Sequence, residues 1–128
     1  RRMLEQTCTS AEIRRVLDGH ATHSTTVWNS LITMGAAAAA IPEHLGGAGF
    51  GYLELCLIAE EAGRHLAPVP LASSFYMAAE ALLQAGSERQ QQHWLPRIAA
   101  GEVIATAALA DGEVWSSTPG RRTRTACR

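Results

Sequence analysis

The chain has 128 residues, 47% of them apolar, which is enough for one domain to build a core without metals or disulfides. Its formal net charge is −1, and four of its 11 basic residues (Arg121, Arg122, Arg124 and Arg128) sit in the final stretch, leaving a mildly acidic body. That balance argues against nucleic acid or an anionic membrane as a partner of the body, since both call for a dense basic face.

Thr9-Ser10-Ala11-Glu12 has the form of a capping box, and Ile13, Val16 and Leu17 follow at helical spacing, so a first helix is expected over about 10–20. Ser24 can cap a second helix over about 25–34, whose apolar stripe is Val27, Trp28, Leu31, Ile32 and Met34 and whose stop is Gly35. Residues 36–41 are rich in alanine but lie between Gly35 and Pro42, and the residue before a proline is pushed out of the helical region. A short buried connector is expected there.

Over 51–65, Leu53, Leu57, Ile58 and Ala62 share one face and most charged side chains lie on the other, which predicts a third helix. Pro68 and Pro70 break it. A fourth helix is expected over 71–85, closed by Gly86, and Ser87 with Gln90 forms a second capping box that opens a fifth, bent or ended by Pro96. Residues 103–110 read as the start of a β-strand, and 112–128 as an irregular tail without apolar period. The expected fold class is all-α with about five helices, divided into a helical domain over 1–101, a first strand over 102–111, and the tail.

The stretch IPEHLGGAGFG, residues 41–51, invites a phosphate-cradle reading because a glycine-rich turn before a helix presents unpaired N–H groups to an anion. The dinucleotide fingerprint needs a third glycine at fixed spacing after a strand, and neither Tyr52 nor Glu54 supplies it. A tight turn is the simpler reading. The five histidines show no metal-ligand spacing, and no G-x-S-x-G nucleophile elbow is present, so neither a metal site nor a catalytic residue is assigned. Cys8, Cys56 and Cys127 are odd in number and far apart, which supplies no disulfide framework and fits a reducing cytoplasm. No run reaches the ~18 apolar residues of a membrane span, and the first ten residues lack the apolar core of a signal peptide.

The order of these elements resembles the N-terminal helical domain of the acyl-CoA dehydrogenase family. Four pieces carry the resemblance: Trp28 with Leu31 and Gly35; IPEHLGGAGFGYLEL, like P-E-x-x-G-G-x-G before a helix; AEEAGRHLAPVP, like E-E-x-G-R-x-x-A-x-x-P; and AGSERQQQHWLPRIAAGEVIATAAL, like G-S/T-x-x-Q-x-x-x-W/Y-L-P followed by G-E. They span roughly residues 10 to 110.

The resemblance implies FAD-dependent α,β-dehydrogenation of acyl-CoA thioesters, with the flavin held between a middle β-domain and a C-terminal helical bundle that usually carries the catalytic base. It therefore implies a truncated member, inactive alone and binding FAD weakly or not at all. Leu109 and Ala110 fall where the family contacts the flavin, with Ala110 in place of the usual threonine. Ser73, Ser74, Met77 and Ala78 fall where the family walls the acyl pocket. The other reading is a non-catalytic helical interaction module, or one half of a split enzyme whose partner chain carries the missing domains. Homo-oligomers are also expected, because missing domains leave an apolar contact face bare.

Overall fold

The computed structural model describes residues 1–108, so the expectations for Leu109, Ala110 and the 112–128 tail lie outside the described residues. Six α-helices, one 3-10 turn and one π-helix make up the described part, with no strand among them.

Helix α1 (Arg2–Thr7) was not legible from periodicity, because Leu4 is its one buried residue. It packs on α3 (Thr25–Thr33). Helix α2 (Ser10–Leu17) begins as expected, with the Thr9 hydroxyl accepting the Glu12 N–H at 3.3 Å. The Glu12 carboxylate, however, does not return to the Thr9 backbone. It accepts the Ser24 hydroxyl at 2.6 Å and pairs with Arg15 at 2.9 Å, tying α2 to the cap of α3. Leu17 projects into solvent, so the expected stripe of α2 ends at Val16.

The Ser24 hydroxyl also accepts the Val27 N–H at 3.2 Å, and α3 buries Val27, Trp28 and Leu31. Trp28 stacks on Phe75 with ring centroids 5.0 Å apart, which joins α3 to the helical segment beyond Pro70. The connector winds through successive turns and buries Ala36, Ala37, Ala39 and Ile41, whose small or compact side chains let the backbone pass close to the helices.

Helix α4 (Tyr52–Arg64) starts with the Gly51 N–H donating to Glu54 Oε2 at 2.8 Å. Its buried residues are Leu55 and Ala62, with Ile58 half-buried. Leu53 and Leu57 are 69% and 54% exposed, which corrects the expected single apolar face: α4 is apolar on two sides and one of them is bare.

Where one α-helix was expected over 71–85, the chain forms a π-helix (Ala72–Ala78) running into α5 (Ala79–Ala85). The Ala79 N–H reaches back five residues to the Ser74 carbonyl. Helix α6 (Glu88–Ala99) has the predicted Ser87–Gln90 capping box, but Pro96 lies inside it. Proline removes a single helical hydrogen bond, and the full burial of Leu95 and Ile98 on either side holds the helix together. Gly101, at φ +71°, provides the stop; a Cβ there would lie 2.6 Å from the Ile32 side chain.

Residues 103–108 form neither helix nor strand. Their burial nevertheless alternates: Val103, Ala105 and Ala107 are half-buried, while Ile104, Thr106 and Ala108 are exposed. That is the period of a strand lying on a core. The strand expected to begin there is absent among the described residues because a ladder needs a second strand, and the described residues supply only helices.

Candidate functional site

The glycine loop is settled by its hydrogen bonds. Leu45, Gly46, Gly47, Ala48 and Gly49 donate their N–H groups to the carbonyls of Pro42, Glu43, Pro42, Ala38 and Ile41 respectively. With the Gly51 N–H on Glu54, these donors are engaged by the protein itself, and the glycines between Leu45 and Gly49 present no run of free N–H groups to a phosphate. A Cβ on Gly47 would collide with the Ile41 carbonyl oxygen, and one on Gly46 would press on Pro96 at 3.3 Å. These glycines serve backbone packing.

The four substrate-side residues read from the sequence all lie on the π-helix, but not in one environment: Ala78 is buried at its end. Ser73 is half-buried and donates its hydroxyl to the Pro70 carbonyl at 3.1 Å, a local bond within its own turn. Ser74 is completely buried, and its hydroxyl oxygen accepts the Ala105 N–H at 3.3 Å. Met77 is 43% exposed. Leu109 and Ala110, the cofactor-side residues, lie outside the described residues.

Next to this segment runs an apolar groove of about 560 Å³, and of the four residues read as acyl-pocket wall Ala78 lines it. Its walls are Ala78, Ala81 and Leu82 from the π-helix and α5, Trp94 and Ile98 from α6, and residues 103–107 on the third side. Arg97 lies at the rim with its guanidinium 5.2 Å above the Trp94 ring. Ser73 and Met77 do not line it. Consecutive pieces of one stretch, residues 78–107, form it, and the last two lie within the fourth family-like motif.

Two tyrosines join α4 to the segment opposite. Tyr76 donates to the Leu55 carbonyl at 2.7 Å, and burial pushes its phenol up to about 12. Tyr52 donates to Glu80 at 3.0 Å, and that carboxylate raises its pKa as well. Both hold the neutral, donating form. Glu61, in the E-E-x-G-R motif, has one carboxylate oxygen shielded from solvent without a hydrogen-bond partner among the described residues; His65 Nε2 is 3.9 Å away. Among the described residues no cluster of His, Cys, Asp and Glu could hold a metal, and no helix is long and apolar enough to cross a membrane.

Comparison with known proteins decides the affiliation. Residues 1–102 match the family described as acyl-CoA dehydrogenase, N-terminal domain. The chain belongs to the acyl-CoA dehydrogenase family. Acyl-CoA dehydrogenase FadE27 of Mycobacterium tuberculosis is 43% identical over 88 residues, covering 69% of this chain and 23% of that protein. Among solved acyl-CoA dehydrogenases, a variant of the Tcur3481-Tcur3483 steroid ACAD superposes with a TM-score of 0.77 at 34% identity, covering 88% of this chain and 31% of that one. The ChsE4-ChsE5 complex from Mycobacterium tuberculosis gives 0.78 at 33% identity, with 89% and 31% covered. The chain thus spans about a quarter to a third of the length of these acyl-CoA dehydrogenases.

Proposed function

We propose that this chain acts as the N-terminal helical domain of an FAD-dependent acyl-CoA dehydrogenase and contributes to dehydrogenation only when the remaining domains accompany it. One observation carries the reading: residues 1–102 match the N-terminal domain while the chain spans 23% of FadE27. FAD, as hydride acceptor, fits the residues beyond this domain better than those within it. The loop with a cradle-like composition has the N–H groups of Leu45–Gly49 and Gly51 engaged, which supports placing the flavin elsewhere.

The chain's own share of the work is structural and substrate-side. Met77, exposed on the π-helix beside Ser73, is the side chain best presented to an acyl-CoA, with Ser73 and Ser74 as its neighbours in that wall. Leu109 and Ala110 are the residues proposed to approach the flavin. A partner chain carrying the domains that accompany this one in its relatives is the favoured arrangement. It is supported by the bare Leu53 and Leu57 on α4 and by the likeness to a structure that is itself a two-component complex. A reducing, cytoplasmic setting accompanies the reading.

The test is spectroscopic. Purified alone, the chain is expected to be colourless and without turnover; a copurifying chain bearing the other domains restores a flavin spectrum that bleaches on adding an acyl-CoA. Stoichiometric flavin on the isolated chain, responding to an acyl-CoA, overturns the reading.

A further inference from the structure

We infer that Ser74 is a positioning residue, whose buried hydroxyl fixes which side chains of residues 103–108 face the helices and thereby shapes the third wall of the apolar groove. Ser24 and Ser74 are the buried polar side chains of the described core, both completely enclosed. Each bridges two elements. Ser24 accepts the Val27 N–H and donates to Glu12, joining α3 to α2. Ser74 accepts the Ala105 N–H across 31 positions of sequence.

The adjacent serine shows what a helical hydroxyl does by default. Ser73 turns back to the Pro70 carbonyl of its own turn, the local bond that serines in helices favour. Ser74 does not. It lies beside Phe75, Ala78 and Ala79, which are all buried, so its polar atom has no solvent and depends on a partner from another segment.

That partner is placed where it controls the most. Among the described residues, Ala105 N–H to Ser74 is the hydrogen bond that ties 103–108 to the helical layer. Ala105 and its alternate neighbours Val103 and Ala107 are the half-buried residues, and all three line the groove. In a segment with a two-residue period, a slip of one position turns every inward side chain outward. Released from Ser74, the segment has no other hydrogen bond among the described residues to resist that slip. The assignment rests on this contact and not on flavin chemistry, so its failure leaves the proposed function untouched.

Hydrogen exchange on the full chain tests it. In Ser74→Ala, the hydrogen-bonded amides of Glu102 and Ala105 are expected to exchange at least about tenfold faster, while those of α3 and α6 keep their protection. Ser74→Thr, which retains the hydroxyl, restores the protection. Ala105→Pro removes the donor and leaves Ser74 intact; the Glu102 amide, held by the Arg97 carbonyl, then accelerates as it does in Ser74→Ala and no further in the double variant. Unchanged exchange in Ser74→Ala, acceleration spread equally over α3 and α6, or additive effects of the two substitutions overturns the assignment.

Discussion

Glu12 shows how much one side chain can coordinate on a small helical domain. Hydrogen bonding from Arg15, followed by that from the Ser24 hydroxyl, holds its carboxyl down at about 2, against an ordinary 4.5. A carboxyl whose folded pKa is depressed contributes stability above its unfolded value and loses it as pH falls through the folded one. The denaturant midpoint of the chain is therefore expected to exceed that of Glu12→Gln at neutral pH, with the gap closing between pH 4.5 and about 2. An unchanging gap means the carboxylate is not the group at work. The sequence showed Glu12 as the far end of a capping box, and its N–H does fill that role. Its carboxylate was beyond local reading, because Ser24 is 12 residues away and meets it only once α2 and α3 are folded.

Helix boundaries divide along the same line. Caps at Thr9, Ser24 and Ser87 form within three residues of their partners, and the sequence placed all three. Ser87→Ala is expected to cost about 1 kcal/mol, read as a lower denaturant midpoint, because the Gln90 N–H loses its acceptor. Pro96 misled because its local effect is disruptive, while the burial that overrides it involves Leu95, Ile98 and their tertiary neighbours. The π-helix left a faint trace. Leu71, Phe75 and Ala79 are all buried at steps of four, as are Ser74 and Ala78. On an α-helix each step of four rotates by only about 40°, so two such steps still fit an ordinary apolar stripe and do not by themselves demand a wider turn. Reading the stripe at the α-helical period hid it.

At the scale of the molecule, the bare side of α4 is the main departure from a self-sufficient domain. A helix apolar on two sides belongs inside a larger body, yet Leu53, Leu57 and the preceding Phe50 are each more than half exposed. Replacing Leu53 and Leu57 together by Glu is expected to reduce self-association in analytical ultracentrifugation while changing folding stability by no more than about 0.5 kcal/mol per site. A large loss of stability from this pair shows that they are core after all. The groove, by contrast, was only partly legible: the fourth family-like motif spans α6 and residues 103–107, but nothing in it told that they enclose a cavity with α5.

Gly46 lies against Pro96, Gly47 against the Ile41 carbonyl and Gly101 against Ile32, so the segments that identify the family meet one another or its core at three close backbone approaches. What these glycines provide is clearance, for a neighbouring main chain at Gly46 and Gly47 and for a core side chain at Gly101. That is a demand of packing which involves no reacting group, so a chain without turnover meets it just as well.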